Sequence, residues 1–286
     1  MIDNNLCVFG EVLFDHFPDG QRVLGGAPFN VAWHLQAFGQ APHFISRVGE
    51  DADGESIRRA MRDWGMAMDN LQHDPRLPTG RVSVTIEDGE PSYDIVHPCA
   101  YDAIETPGCG RPGLLYHGSL ALRDAQSRRS LEQLVANQPE TVFVDVNLRP
   151  PWWDKTRVTR LMEQADWVKL NADELALLYP NVASPRSLID KLGLRGILLT
   201  HGSRGAETIT ATGEQHHVTP TPSGQVVDTV GAGDSFAAVF ILGLLQQWPL
   251  STTLQRAQQF ASAIVGQRGA TVSDKAFYQS FIDEWI

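Results

Sequence analysis

Short apolar segments alternate with amphipathic helical segments along most of this 286-residue chain, and that alternation restricts the fold more than any other feature. The apolar runs predict strands at 6–13, 43–48, 113–116, 141–146, 166–170 and 196–200. The helical patterns lie at 28–38, 55–64, 124–137, 155–164, 172–178, 184–192, 232–247, 252–268 and 274–285. Strands that alternate with helices favour a mostly parallel sheet covered on both faces, so we expect a three-layer α/β/α fold.

A second, smaller sheet is predicted where this alternation is interrupted. Residues 81–86 and 93–96 alternate in polarity around Asp88-Gly89, a pair that favours a hairpin turn, and residues 15–26 predict a loop or hairpin. We therefore predict a single domain over 1–286, with a small β lid formed by inserted segments at about 13–25 and 79–98. An exposed strand edge at 81–86 would tend to be covered, which predicts a homodimer through the lid.

The composition limits the possible partners and compartments. A formal net charge of -11 with only 23 Lys and Arg residues argues against a nucleic-acid partner. The three cysteines, Cys7, Cys99 and Cys109, lack metal-ligand spacing, and we expect Cys7 to be a small buried apolar residue. The first residues contain no basic region of the kind that begins a signal peptide, so we expect none. The longest apolar run is too short to span a bilayer. We therefore expect a cytoplasmic protein without a membrane partner.

The segment 228–236, Asp-Thr-Val-Gly-Ala-Gly-Asp-Ser-Phe, is the most informative motif. With Val226 and Val227 before it and an apolar run after it, it predicts a strand end, a tight glycine turn and a buried helix. Amides at the start of such a helix favour an anion, and Asp234 adds a carboxylate beside them. Phosphoryl transfer to a hydroxyl requires this pair of features. The alternative is a turn built only for packing, with an acid that complements the helix dipole.

Three further polar clusters follow predicted strands, at 145–149, 171–174 and 200–205. Ligands bind at the carboxyl ends of strands in sheets of this class, so these clusters are candidates for one site. Within the second cluster, Asn171 and Glu174 also suit an ordinary helix cap, and both roles can hold together.

Several enzyme classes lack their characteristic motifs in this chain. There is no G-x-x-x-x-G-K-[ST], which excludes P-loop kinases, and no G-x-G-x-x-G after the first strand, which disfavours a dinucleotide oxidoreductase. The absence of G-x-S-x-G argues against an α/β-hydrolase. No paired-cysteine or H-E-x-x-H zinc pattern occurs, and the adjacent His216 and His217 are more typical of a solvated strand edge than of a metal site.

Nearly the whole chain resembles the ribokinase-like (phosphofructokinase-B type) carbohydrate kinases, and is closest to their fructokinase branch. Residues 228–234 resemble the family's D-T-x-G-A-G-D signature, and residues 25–32 resemble G-G-x-x-x-N-x-A. Residues 145–149 resemble D-P-N-x-R, with Val146 in place of the usual proline. The remaining matches are N-x-x-E at 171–174, T-x-G-x-x-G at 200–205 and the adenine-pocket stretch at 268–270.

The resemblance implies a role for each matching residue. Asp234 would be the catalytic base, with the anion hole formed by the amides of Gly231, Ala232 and Gly233. The sugar would be bound by Asp15, Gly25, Gly26, Asn30 and Arg149. ATP and Mg²⁺ would be held by Asn171, Glu174, Thr200, Gly202, Gly205 and Gly269, with Glu174 reaching the metal through water. Asp228 would bind a monovalent cation such as K⁺. Phe29 and Trp33 are bulky for this motif, and we expect them in the core.

The resemblance implies an ATP-dependent kinase that transfers the γ-phosphoryl group to a primary hydroxyl of a monosaccharide, with fructose as the first candidate. Ribose and 2-keto-3-deoxygluconate remain alternatives. The latter carries a carboxylate, but residues 92–101 of the lid contain no basic side chain except His97. A sugar-binding relative without activity is the alternative of another class, and the intact Asp234 argues against it.

Overall fold

Two β-sheets and the helices around them make up most of the computed structural model, which describes residues 5–87, 90–108, 110–220 and 226–286. The strands are β1 (Leu6–Phe9), β2 (Leu13–His16), β3 (Arg22–Gly25), β4 (His43–Gly49), β5 (Leu71–Asp74), β6 (Gly80–Glu87), β7 (Glu90–Ile95), β8 (Leu114–His117), β9 (Thr141–Asp145), β10 (Trp167–Asn171), β11 (Gly196–Thr200), β12 (Ala206–Thr210) and β13 (Gln215–Val218). The helices are α1 (Ala27–Ala37), α2 (Ala52–Trp64), α3 (Ala125–Ala136), α4 (Lys155–Glu163), α5 (Ala172–Leu178), α6 (Pro185–Leu192), α7 (Ala232–Leu245), α8 (Leu250–Val265) and α9 (Lys275–Trp285).

The central sheet has nine strands in the order β13-β12-β11-β10-β9-β8-β1-β4-β5. All neighbours pair in parallel except β11 with β12 and β12 with β13, which are antiparallel. Alternate residues of a strand face opposite sides. In β1, Leu6 and Val8 therefore join a core with α1, α7, α8 and α9, whereas Cys7 and Phe9 join a second core with α3, α4 and α6. The predicted three-layer α/β/α fold is confirmed.

The second sheet has four strands in the order β3-β2-β6-β7, and forms the predicted small β lid. The tip pair Asp88-Gly89 lies outside the described residues. The prediction of an exposed edge at 81–86 is wrong, because β6 pairs in parallel with β2 and antiparallel with β7. Within the described part of this sheet, the outer strands are β3 and β7.

Two strand predictions fail for identifiable reasons. The predicted strand 6–13 is split at Gly10, where a β-carbon would lie 2.4 Å from Pro28 of α1, so the helix start packs against bare backbone. No strand forms at Val226 and Val227. The amides of Val227 and Asp228 donate instead to the Val265 carbonyl at the end of α8, at 3.0 and 3.1 Å. Strands β5, β12 and β13, which extend the sheet at its two edges, were not predicted.

The cysteines and the helices also bear on the expectations from composition. Cys7 is fully buried, as predicted, whereas Cys109 lies outside the described residues. None of the described helices combines the length and apolar character that crossing a bilayer would require.

His34 is completely buried on α1 and bonds on both sides of its ring. Its Nε2 lies 3.0 Å from the Ala270 carbonyl, which can only accept, so Nε2 carries the proton. Its Nδ1 lies 3.0 Å from the hydroxyl oxygen of Tyr278, and that hydroxyl donates to the Val272 carbonyl at 3.2 Å. Burial lowers the pKa of His34 to about 3, although the bond to Ala270 opposes the shift.

We predict that His34 makes folding sensitive to acid. The unfolded chain protonates this histidine below about pH 6.5, whereas the folded chain keeps it neutral, so its contribution to stability is lost as the pH falls. Between pH 6.5 and 5 the loss is about 2 kcal/mol. In His34→Gln, urea unfolding at pH 7 and pH 5 should therefore show a decrease in unfolding free energy that is smaller by about that amount. The exposed His73→Gln is the control for removing a histidine, and an equal decrease in parent and His34→Gln would contradict the prediction.

Candidate active site

A cavity of about 420 Å³ lies between the carboxyl ends of the central strands and the lid sheet. Its wall on the central sheet includes Glu11, Asp145, Asn171 and Thr200, which all lie at or just after strand ends. Its wall on the lid side is mostly apolar and consists of Leu13, Asp15, Val23, Leu24, Gly25, Val82 and Ile95. A concave space of this size suits a small molecule, and it lies where ligands bind in sheets of this class.

The glycine turn before α7 presents backbone amides to this cavity. Gly231 has a positive φ of 81°, and its carbonyl accepts the first helical bond from Ser235 at 2.8 Å. The amides of Gly231 and Gly233 donate to no acceptor within the described residues, and that of Ala232 lies 3.4 Å from the Thr229 carbonyl. Unpaired amides at the start of a buried helix can bind an anion, so this geometry is compatible with the anion site that the motif predicts.

Asp234 sits in the first turn of α7 and is held by α1. The Asn30 side-chain amide donates to its Oδ2 at 2.8 Å. Burial raises the pKa of Asp234, and the nearby Asp145 carboxylate raises it further, whereas Asn30, Lys169 and Arg149 lower it. The opposing effects leave a carboxylate with increased basicity beside the amides of the glycine turn, which is the arrangement that a general base requires.

An ion pair that sequence reasoning missed lies behind this turn. The Lys169 Nζ donates to Asp145 Oδ2 at 2.7 Å, and both side chains are buried. Burial alone would lower the pKa of Lys169, but Asp145, and to a smaller extent Asp234 and Glu174, raise it, so the side chain is a cation. A β-carbon at Gly233 would lie 3.4 Å from Nζ, so the charge is next to the anion site. A lysine inside an apolar strand pattern is the signal that could have revealed it.

Asn171 and Glu174 form the predicted helix cap at the start of α5. The Glu174 amide donates to Asn171 Oδ1 at 2.8 Å, and the Asn171 amide donates to Glu174 Oε2 at 2.8 Å. Glu174 Oε1 accepts from the Leu148 amide at 2.8 Å. Burial, aided by Asp145, raises the pKa of Glu174, although these amides oppose the shift. Both residues also line the cavity, so the cap leaves a metal role open.

The five residues predicted to bind sugar, Asp15, Gly25, Gly26, Asn30 and Arg149, all line the same cavity. Gly26 is required sterically, because its φ is 109° and a β-carbon would lie 2.6 Å from the carbonyl oxygen of Glu11. Burial raises the pKa of Asp15, whereas Arg149 and His16 lower it. The resulting surface is rich in short acceptors, which suits a molecule with many hydroxyl groups.

Only some of the residues predicted to bind the nucleotide line the cavity. Thr200 lines the cavity, but Gly202, Gly205 and Gly269 are not among its lining residues. Gly205 has a packing role, since a β-carbon there would lie 1.9 Å from the Val218 carbonyl oxygen. The Gly269 amide donates to Asp228 Oδ2 at 3.0 Å, so it ties two loops together.

Asp228, the predicted ligand of a monovalent cation, uses both carboxylate oxygens to organise backbone. Oδ1 accepts from the Val230 amide and Oδ2 from the Gly269 amide, each at 3.0 Å. Each carboxylate oxygen has a second lone pair, so these bonds are compatible with a cation.

Two further residues line the cavity: Glu11, for which the sequence predicts no role, and Asn147 of the predicted polar cluster 145–149. Glu11 follows β1 and is 2 % exposed, and burial raises the pKa of its carboxyl to about 7. Asn147 has a positive φ of 37°, and its carbonyl accepts from the Ser119 hydroxyl at 3.3 Å. An acid within the apolar run 6–13 is the signal that could have revealed Glu11.

Phe29 and Trp33 belong to the core, as expected, rather than to the cavity. Phe29 is fully buried and packs on Phe44, while Trp33 stacks on Trp64 with ring centroids 4.6 Å apart. Their bulk therefore does not narrow the site.

Comparisons with known proteins agree with this geometry. A model of the pfkB family of carbohydrate kinases matches residues 3–276. The chain is 30% identical to the aminoimidazole riboside kinase of Salmonella typhimurium, over 93% of this chain and 91% of the relative. It is 32% identical to a fructokinase of Escherichia coli, over 83% of each.

Solved structures of fructokinases are similar to this chain in fold. The fructokinase of Vibrio cholerae in its fructose, ADP and calcium ion bound form has a TM-score of 0.83 at 27% identity, covering 98% of this chain and 99% of that one. The fructokinase of Xylella fastidiosa with bound ATP has a TM-score of 0.85 at 22% identity, covering 98% of each chain, and therefore supports the fold.

We predict that Gly231 tolerates no side chain. Gly231→Ala would add the strain of a positive φ and would place its β-carbon 2.5 Å from the Ala270 Cα. Gly193→Ala is a matched control, because φ is 71° there and the space is open. The control should lower the free energy of unfolding by about 1–2 kcal/mol, from left-handed backbone strain alone. Gly231→Ala should lower it by at least about 2 kcal/mol more, measured by urea unfolding. Equal losses would show that Ala270 does not press against the turn.

Proposed function

This chain belongs to the pfkB family of carbohydrate kinases, and on that premise we propose that it transfers the γ-phosphoryl group of ATP to the primary hydroxyl of fructose. The family and the named relatives make it an ATP-dependent sugar kinase. The identity of the sugar and the role of each residue are our proposals. The observation that carries them is the Asn30–Asp234 hydrogen bond at the glycine turn, inside a cavity lined with acceptors.

Asp234 is the proposed general base. Its carboxylate accepts a hydrogen bond from the primary hydroxyl and takes the proton as the oxygen attacks the γ-phosphorus. The bond from the γ-phosphorus to the bridging oxygen of ADP breaks in line with this attack. Asn30 holds Oδ2, and Oδ1 is then available for the sugar hydroxyl. A base positioned in this way accelerates transfer by roughly 10²–10⁴-fold.

The anion hole is proposed to be formed by the amides of Gly231, Ala232 and Gly233. They face the charge that builds on the moving phosphoryl group, and they are already oriented before the reaction. Lys169 supports them as a cation beside Gly233, fixed by its bond to Asp145. Arg149, exposed at the cavity wall, is free to contact either the sugar or a phosphate.

Magnesium is the proposed metal, and the residues fit it. Buried oxygen donors suit this ion, and Asp145 Oδ1 is buried without a hydrogen-bond partner in the described structure. Glu174 faces the same cavity, and with Asn171 it would hold the ion and its waters near the phosphates. When bound, Mg²⁺ neutralises charge on the phosphate oxygens. We propose Asp228 as a ligand for K⁺, with Gly202, Gly205 and Gly269 shaping the nucleotide side.

Charge at the sugar side favours a neutral substrate. Glu11, Asp15 and Asp234 face this end of the cavity, with Arg149 as the nearby cation. An acidic sugar such as 2-keto-3-deoxygluconate would meet this excess of carboxylates. His97, the basic residue of the lid range 92–101, lies 3.0 Å from Asp124 and is not among the cavity-lining residues. Fructose therefore ranks above the acidic sugar.

Aminoimidazole riboside is the second candidate, because a kinase named for it covers most of this chain. Its flat base would favour an aromatic wall. The described lining residues on the lid side include Leu13, Val23, Leu24, Val82 and Ile95, with no aromatic residue among them. A compact sugar therefore suits the cavity better, and ribose shares that property.

The lid is proposed to close over the sugar and exclude water, which limits wasteful hydrolysis of ATP. Three side-chain contacts tie the β2–β3 hairpin of the lid to the rest of the proposed single domain. Arg22 and His16 both pair with Asp53 of α2, and Arg268 donates to Gln21 at 3.0 Å. A homodimer through the lid would use the outer strands β3 or β7 rather than β6.

A panel of acceptors tests the function. ADP release is measured with ATP, Mg²⁺ and K⁺ across fructose, ribose, tagatose, 2-keto-3-deoxygluconate, adenosine and aminoimidazole riboside. We expect fructose to give the highest kcat/KM. A higher value for any other acceptor would contradict the proposed substrate, and that acceptor would replace it.

We predict that Asp234→Asn lowers kcat by at least about 10²-fold, while the equilibrium affinity for the sugar stays within about threefold. The amide keeps the shape of the side chain but cannot accept the proton. The exposed Asp173→Asn at the start of α5 is the control for the same change at an acid outside the cavity lining. Unchanged kcat in Asp234→Asn would remove the base assignment.

A further inference from the structure

Glu11 places a buried acid, one of whose oxygens has no partner in the described structure, in the sugar side of the cavity. The residue is 2 % exposed, and its Oε2 is buried without a hydrogen-bond partner in the described structure. It lines the same cavity as Asp15, Asn30 and Asp234. A buried polar atom that lacks a partner costs free energy, so a ligand that supplies the partner recovers that cost on binding.

The backbone on both sides of Glu11 is tightly packed. Gly10 before it is pressed against Pro28, where a β-carbon would lie 2.4 Å away. The Glu11 carbonyl oxygen is pressed against Gly26, where a β-carbon would lie 2.6 Å away. Gly10 and Gly26 thus allow α1 to approach the end of β1 closely. The backbone of Glu11 is therefore held in place next to the cavity before any sugar arrives.

The electrostatic surroundings allow this carboxyl to hold a proton. Burial is the largest effect on the pKa of Glu11, and together with the Asp234 carboxylate it raises this pKa to about 7. The amides of Glu11 and Ala121, together with Arg149, oppose the shift. Its protonated form is a hydrogen-bond donor in a cavity whose other side chains near the sugar, Asp15 and Asp234, are acceptors.

We propose that Glu11 is a specificity-determining residue whose buried carboxyl hydrogen-bonds an oxygen of a neutral sugar and disfavours an acidic one. This inference rests on the proposed assignment of this end of the cavity to the sugar. A protonated carboxyl donates to a ring or hydroxyl oxygen, whereas an ionised one accepts from a hydroxyl, so a neutral polyol satisfies either form. A sugar carboxylate satisfies only the protonated form and is repelled by the other. The site therefore selects by charge as well as by shape.

The test compares Glu11→Gln, which keeps the shape and a donor, with Glu11→Ala, which removes both. Ser46→Ala is the matched control, because Ser46 Oγ is also buried without a partner but lies outside the cavity lining. Affinities for fructose, 2-keto-3-deoxygluconate and ATP are measured by titration calorimetry at pH 7, after thermal unfolding has shown that each variant is folded.

We expect Glu11→Ala to weaken fructose binding by about tenfold and Glu11→Gln by less than about threefold, with ATP affinity unchanged in both. Glu11→Gln should also shift the ratio of affinities toward the acidic sugar by about threefold or more, because it removes the ionised form. If Glu11→Ala does not fold, the ratio of the two sugar affinities in Glu11→Gln alone tests the inference. An unchanged ratio, or an equal loss of sugar and ATP affinity, would overturn the inference.

Failure of the proposed substrate is a separate outcome. If the parent releases ADP with another neutral sugar and not with fructose, the same variants are titrated with that sugar, and the expectations for Glu11 stand. If the parent prefers an acidic sugar, the inference about Glu11 is overturned.

Discussion

A single hydrogen bond, from Asn30 to Asp234, joins two helices whose bonded residues lie 204 positions apart in sequence. It fixes the carboxylate in the first turn of α7. A second contact from α1 positions the glycine turn before that helix. One helical turn beyond Asn30, His34 bonds to the Ala270 carbonyl, and Ala270 packs directly against Gly231. Residues four apart lie on one face of a helix, so α1 positions both the acid and the glycine turn. The geometry of the site therefore depends on how closely α1 packs against α7.

Charge balance is the second constraint on this site. Five acids line the cavity, Glu11, Asp15, Asp145, Glu174 and Asp234, against the cations Arg149 and Lys169. A cavity so rich in carboxylates must bind a cation, protonate some of its acids, or do both. The pKa values of Glu11, Asp15, Glu174 and Asp234 are all raised, which is a shift toward the second response. The proposed Mg²⁺ near Asp145 and Glu174 would provide the first, and would allow a chain of net charge -11 to bind ATP.

Much of this could be predicted from sequence, because local patterns determine it. The alternation of strands and helices predicts the three layers, and strand-end motifs predict Asp234 and the cap formed by Asn171 and Glu174. The role of Asn30 is implied only by the resemblance to a kinase family. Long-range contacts account for the failures. Gly10 breaks a strand because Pro28 approaches it, and Val227 loses a strand because its amide bonds to the end of α8. No role was predicted for Lys169 or Glu11, because each is an ionisable residue within an apolar run. The role of such a residue depends on the side chains that the fold brings next to it.

The central claim is that the sugar's primary hydroxyl meets Asp234 at the mouth of the glycine turn. A crystal structure of the protein with fructose, Mg²⁺ and a non-hydrolysable ATP analogue tests it most directly. The account predicts that this hydroxyl lies within about 3 Å of Asp234 Oδ1, with the γ-phosphate against the amides of residues 231–233. A primary hydroxyl that points toward Asp15, with no sugar atom in hydrogen-bond reach of Asp234, would contradict it.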